Sequence, residues 1–317
     1  MHKLCFRFIP PASFTATQPY FPREHAPSGL KCKRQGRSLL TALLGMVIGL
    51  SVTAGFAQTP PSKVAAPADN VTHLQNFPVI EFRRYPIPTG ERTQFAKYFD
   101  DYFPMAFEQS GAIAFGQFLE RGDNNFTWIR GFHTYNDRAV DEAAFYYGPV
   151  WQEVRNRINA MLPGEDDNVL LLHPLHPGTA IPVLPIVDPV REPHGATGVV
   201  VAQIFAVKKD QIRVFARQAA NVFARYRTAG AHQAGILVTL DEPINNFPIL
   251  PFRTDGPYLV WLGILKNNQM LETKFEPVQK TALRQFSADS LLRKAPELLI
   301  LDPTHRSRLR WLSQWNR

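Results

Sequence analysis

The chain has 317 residues, 45% of them apolar and 12% aromatic, enough to bury one large core or two modest ones. Its formal net charge of +8 is concentrated at the start: residues 1–57 hold seven of the 35 Lys and Arg and one of the 27 acids, leaving 28 basic against 26 acidic residues beyond. That near balance excludes charge as a reason to expect nucleic acid as a partner, and because Cys5 and Cys32 both precede residue 58, the remainder has no disulfide, thiolate nucleophile or cysteine-ligated metal.

Residues 1–57 form a leader. The basic stretch KCKRQGR (31–37) is followed by SLLTALLGMVIGLSVTAGFA, 20 residues without a charge, ending in the small residues Gly55 and Ala57. This is the pattern of a signal peptide cut after Ala57, which predicts a periplasmic or secreted protein with no membrane attachment once the signal is removed. The alternative is a membrane anchor over 38–57, since about 20 apolar residues span a bilayer; Gly45, Gly49 and Gly55 weaken such a helix. Residues 1–30, rich in Pro and aromatics, resemble no part of a signal and are expected to derive from a start codon assigned too far upstream. Residues 58–76 read as a Pro/Ala linker.

The body begins at Phe77. VIEFRRY (79–85) is a predicted strand, and Gly90–Ser110 a helix with Phe95, Tyr98, Phe99, Tyr102 and Ala106 at helical spacing. Strands 112–120 and 126–132 follow, joined by the turn RGDNN. Asp137–Leu162 is helical, N-capped by Asn136, with Val140, Ala143, Ala144, Trp151, Val154, Ile158 and Met161 on one inward face. Gly148-Pro149 divides it into two helices, the second starting at Pro149. NVLLLHP (168–174) closes the unit as a strand. Residues 173–195 hold six prolines in 23 positions and must be an extended connector.

The same order recurs beyond it: strand 198–207, helix 210–226, strands 235–240 and 258–265 around a long Pro-containing loop, helix 269–292 and strand 297–303. Fragments match in order: Gly111-Ala112 with Gly230-Ala231, Asn124-Asn125-Phe126 with Asn245-Asn246-Phe247, Phe145…Pro149-Val150 with Phe275…Pro277-Val278, and NVLLLHP with ELLILDP. The expected fold class is therefore α+β, with two tandem ferredoxin-like β-α-β-β-α-β units, 77–175 and 197–304, packed as a pseudo-dimeric α/β barrel. Residues 176–196 connect the units, and 305–317 form a C-terminal tail.

EFRRY with its following Gly-led helix, GAIAFGQF, FTWIRGFHTYNDR, FYYGPVW and DNVLLLHP, in this order and spacing, resemble the NIPSNAP family within the dimeric α/β-barrel group. The resemblance covers residues 78–175; the second half shares only the element order. It implies a ferredoxin-like fold with a pocket and, from the wider group, cofactor-free monooxygenase or isomerase chemistry as the range of activities. It names no reaction.

The candidate chemistry centres on Arg130, between Trp128 and Phe132 on a strand apolar on both faces, where a charge needs a partner. Alternation on the first strand groups Glu81, Arg83 and Tyr85. In the ferredoxin-like order the first and third strands are neighbours, so Glu81 or Arg83 is expected to meet Arg130. One reading is a polar cluster in the barrel lumen, with arginine clamping an anion and Glu81 or His133 accepting a proton. The other is a buried Glu81–Arg130 pair whose members satisfy each other. Tyr146 and Trp151, flanking Gly148-Pro149, either wall the pocket or pack a core. His173, His176 and His194 lie among prolines without a metal-ligand spacing, so neither metal nor cofactor is expected. No phosphate-binding glycine loop, GxSxG, HExxH or dinucleotide fingerprint is present. The expected function is an exported binder of a small molecule in a barrel cavity, enzymatic without a cofactor or not catalytic; the alternative is an interaction or scaffold protein with a packed lumen. The expected assembly is a monomer or homodimer.

Overall fold

The computed structural model describes residues 76–316 except 163, 165–167, 242 and 288; the leader and nearly all of the linker lie outside the described residues. Eight strands close into one antiparallel barrel: β1 (Val79–Pro86), β2 (Ile113–Glu120), β3 (Asn125–Phe132), β4 (Val169–Pro174), β5 (Val199–Ala206), β6 (His232–Thr239), β7 (Tyr258–Leu265) and β8 (Glu297–Pro303). The spatial order is β1-β3-β2-β8-β5-β7-β6-β4, so the first half contributes β4-β1-β3-β2 and the second β8-β5-β7-β6. The halves meet at two seams, β2 with β8 and β4 with β6.

Registers in the two halves run in parallel. Arg83 pairs with Trp128 and Gln203 with Trp261. A bulge falls between Ala114 and Gly116 on β2 and between Gln233 and Gly235 on β6. By this register Arg130 corresponds to Gly263. Asn124-Asn125-Phe126, however, opens β3, whereas Asn245-Asn246-Phe247 lies in the β6–β7 loop, so that pair of fragments is not structurally equivalent.

Helices α1 (Arg92–Ser110), α2 (Tyr135–Tyr146) and α3 (Pro149–Ala160) belong to the first half; α4 (Ile212–Thr228), the short α5 (Asn268–Met270), a π-helical turn (Leu271–Phe275) and α6 (Glu276–Ser287) belong to the second. Helix α1 stacks Phe95, Phe99, Phe103 and Phe107 at four-residue spacing on its buried face. It stops at Gly111, whose φ of 106° is left-handed and whose N–H bonds to the carbonyl of Glu108. Helix α2 starts earlier than its apolar period predicts: Thr134, not Asn136, is the N-cap and accepts from the Asp137 N–H at 3.0 Å. Pro149 occupies the first turn of α3, where its missing N–H leaves no bond unmade.

Apolar side chains form three buried clusters. One fills the barrel lumen with residues from every strand, among them Ile80, Phe82, Phe118, Ile129, Leu170, Val200, Leu237, Val260 and Leu301. The others lie between the sheet and the helices of each half. The connector and the C-terminal tail join the lumen cluster through Ile181, Leu184, Leu309 and Leu312, with Trp311 and Trp315 packed against it. Arg310, 2% exposed, fastens the tail to the connector: its guanidinium bonds Glu192 at 2.6 and 2.7 Å and donates to the Pro185 carbonyl at 2.7 Å. Residues 304–316 thus cover one mouth of the barrel. The connector has a 3-10 turn at Pro177–Thr179 and hydrogen-bonded turns over Asp188–Glu192 and Glu192–Gly195, and is otherwise extended. Among the described residues no helix is long and apolar enough to cross a membrane.

Candidate functional site

Alternation on β1 sends Ile80 and Phe82 into the lumen and Val79, Glu81, Arg83 and Tyr85 toward the helices. Arg130, directly opposite Glu81, points the same way. The polar cluster therefore lies between the sheet and α2, not in the lumen as expected. The reason is register: the lumen face of these strands carries the aliphatic residues.

Glu81 is the hub. Its Oε2 accepts from Arg83 Nε at 2.8 Å and Arg130 Nε at 2.7 Å, and its Oε1 from Arg138 Nε at 2.7 Å. Glu142 Oε1 accepts from Arg130 Nη2 at 2.6 Å and lies 3.5 Å from Arg138 Nε. Arg83 Nη1 donates to the Tyr85 hydroxyl at 2.7 Å, and Arg138 Nη1 to Asn246 Oδ1 in the β6–β7 loop at 2.8 Å. The Arg130 guanidinium lies 5.0 to 5.3 Å from the ring centroids of Trp128, Phe107 and Phe132. All five charged side chains are at most 1% exposed.

Three arginines thus meet two carboxylates. Burial would raise the Glu81 pKa, but Arg130, Arg83 and Arg138 together outweigh it and hold the group well below its ordinary value. Glu142 receives what Glu81 leaves: burial, with the charge of Glu81, pushes it up to about 8 against the pull of Arg130. Three arginines against two acids leave the cluster with an excess of positive charge, and Glu142 holds its proton more tightly than an ordinary glutamate. In and around the cluster, Arg83 Nη2, Arg138 Nη2, Trp128 Nε1 and Glu142 Oε2 are buried without a hydrogen-bond partner. Asp141, beside Glu142, is raised to about 6, chiefly by burial and then by Asp137.

Of the residues singled out from sequence, Glu81, Arg83, Tyr85, Trp128 and Arg130 come together. Tyr146 is adjacent, its hydroxyl raised above its ordinary pKa by burial, and its ring meets Trp151 edge-on at 4.9 Å. Trp151 itself belongs to the aromatic layer with Phe103 and Phe145. His133 is apart: it stacks on Phe77 with centroids 4.0 Å apart, and its Nδ1 lies 2.5 Å from the Asn76 carbonyl oxygen. Arg138 and Glu142 escaped the sequence reading. Helix α2 was expected to turn Val140, Ala143 and Ala144 inward, yet it buries Arg138, Asp141, Glu142 and Phe145 and leaves Val140 65% exposed. The charges of Glu81 and Arg130 beneath it reverse the usual preference. The available signal was the i, i+4 spacing of Arg138 and Glu142.

The second half has a neutral counterpart. Gln203 accepts from the Tyr226 hydroxyl at 2.9 Å beside Trp261, and at Gly263 an added Cβ would come within 2.3 Å of the Trp261 ring.

Beside the cluster, the β4–β6 seam holds a groove of about 1010 Å³. Its walls include Leu171 and His173 on β4, Leu240 just after β6, Ile212 and Arg213 at the start of α4, and Phe252 on the β6–β7 loop. At the β2–β8 seam Arg121 binds Asp302 at 2.6 Å and Asn268 at 2.7 Å. The register places Leu240 and His173 where Arg121 and Asp302 stand. Among the described residues no three His, Cys, Asp or Glu side chains converge as metal ligands would.

No family model matches the chain, and no curated protein matches it. Among solved structures it is similar to a proposed monooxygenase from Fusobacterium nucleatum subsp. nucleatum, at 10% identity and TM-score 0.48 over 75% of this chain and 99% of that one. An anthrone oxidase-like protein is similar at 9% identity and TM-score 0.47, over 75% of this chain and 97% of that one. An uncharacterized NIPSNAP domain protein from Burkholderia xenovorans is 24% identical at TM-score 0.25, over 27% of this chain and 84% of that one.

Proposed function

We propose that the chain is a small-molecule-binding protein of the NIPSNAP type, built from a duplicated ferredoxin-like unit, and that its site is the arginine cluster between sheet and α2. The duplication is supported by the matching bulges on β2 and β6 and by Trp128 and Trp261 at equivalent registers. The binding reading rests on one observation: three buried guanidinium groups face two carboxylates, and Arg83 Nη2, Arg138 Nη2 and Trp128 Nε1 remain unpartnered donors. Buried donors without partners are destabilising, and an anionic group placed among them would satisfy donors and excess charge together. The ligand class is accordingly a molecule bearing a carboxylate or similar oxyanion. We also propose export, from the charge-free stretch and small residues at 38–57.

The test uses formate as the smallest carboxylate. Calorimetry should detect saturable formate binding to the wild-type chain and its loss in Arg83→Met, which keeps Arg130 and Arg138 on Glu81. Absence of saturable binding to wild type removes the reading.

A second reading is favoured by the nearly complete burial of the five charges: a structural lock in which Arg138 ties α2 to the β6–β7 loop through Asn246. Under it, Arg83→Met lowers stability and no anion binds.

A further inference from the structure

The groove at the β4–β6 seam backs directly onto the arginine cluster. Leu171, on its wall, is the strand partner of Glu81. Phe252, also on its wall, is half-buried and carries the Arg138 guanidinium 5.7 Å from its ring centroid. One side chain's thickness therefore separates a cavity of about 1010 Å³ from a guanidinium whose Nη2 has no partner. Phe252 stands on the β6–β7 loop, which among its described residues has no regular element between Thr239 and Tyr258. A loop side chain can be displaced without breaking the barrel ladder.

The two seams also differ in chemistry. Arg121 and Asp302 form an ion pair at one; Leu240 and His173 take their positions at the other and line the groove. That space is lined by aliphatic carbon from Leu171, Leu240 and Ile212 together with the charged residues Lys209, Asp210, Arg213, Asp241 and Arg253.

We propose that the groove holds the apolar body of the ligand whose anionic group meets Arg138 and Arg83, so that the ligand is an amphipathic acid, a carboxylate on a hydrocarbon body. Phe252 is the partition between body and head, and it swings aside when the ligand enters. The inference rests on the carboxylate reading given above and extends it by assigning the other end of the molecule.

The experiment measures binding of formate, butyrate, hexanoate and octanoate to the folded full chain by calorimetry. Burial of each methylene against the Leu171, Leu240 and Ile212 side chains predicts affinity rising by up to roughly threefold to fourfold per added carbon from butyrate to octanoate. Leu240→Asp should flatten this rise while leaving formate affinity unchanged. Ile212→Ser, at the helix start on the same wall, provides the same test should Leu240→Asp fail to fold. A flat series in wild type, with formate bound and lost in Arg83→Met, overturns the groove as body site and leaves the carboxylate reading standing. A rise that survives both groove variants overturns it equally. If neither formate nor the longer acids bind, both readings fall together.

Discussion

Arg130 and Glu142 stand 12 residues apart and meet at 2.6 Å, the arginine reaching outward from a central strand and the glutamate inward from the helix above it. The contact links β3 to α2 by a charge-assisted bond inside the aromatic layer of Phe107, Trp128 and Phe132. Because Arg130 also binds Glu81, its removal would leave the Glu81 carboxylate short of a counter-charge and the Glu142 carboxyl without its donor.

Arg130→Ala is therefore expected to cost about 3–5 kcal/mol, the range for breaking a buried pair by deleting one partner. Urea denaturation followed by circular dichroism measures it. A loss below about 1 kcal/mol would mean that Glu81 and Glu142 are satisfied without Arg130.

Glu142 gives stability a defined dependence on pH. Its folded pKa, about 8, lies above the value near 4.5 that a glutamate has when unfolded. Its contribution is thus complete below about pH 4.5 and declines as pH rises through 8, because the unfolded chain has already released the proton that the folded chain still holds. The slope approaches about 1 kcal/mol per pH unit in that window. Glu81, held well below its ordinary value, has the opposite sign: its contribution is present at neutral pH and is lost only as pH falls into the acid range. Glu142→Gln should remove the decline between about pH 6.5 and 8, above the range in which Asp141, raised to about 6, contributes a decline of the same sign, in a series of urea midpoints; an unchanged decline there would assign it elsewhere.

Helix α2 makes a third test. Val140 is 65% exposed although the apolar period points it inward. Val140→Lys should change stability by no more than about 0.5 kcal/mol, as surface substitutions do. A loss of several kcal/mol would restore the orientation expected from periodicity.

Arg310→Ala should detach the C-terminal segment from the connector, leaving Glu192 and the Pro185 carbonyl without their donor. Limited proteolysis should then cut within 304–316 at a rate several times that of the wild type, while the barrel core stays intact.

The barrel was legible because strands and helices have different periods, although the bulges on β2 and β6 shift the inward alternation by one residue. Glu81 as partner of Arg130 was legible too, since strand order alone brings them opposite each other. What failed is instructive. The face on which the cluster lies could not be read, because β1 and β3 are buried on both sides and either parity looks like a core. The inward turn of Arg138 and Glu142 ran against hydrophobicity and was decided by charges on another element. The role of the tail at Leu309 and Leu312 depended on a barrel mouth that no local pattern reports.

The two seams are the thinnest parts of the ladder. At one, Phe118–Glu120 pair with Leu301–Pro303, and at the other Leu172–Pro174 with Leu237–Thr239, whereas β1 and β3 pair along their whole length. Any breathing of the closed wall will start there, so amide protons at the seams should exchange before those of β3 and β7. The barrel opens, when it opens, as two shutters along the line where the groove already lies.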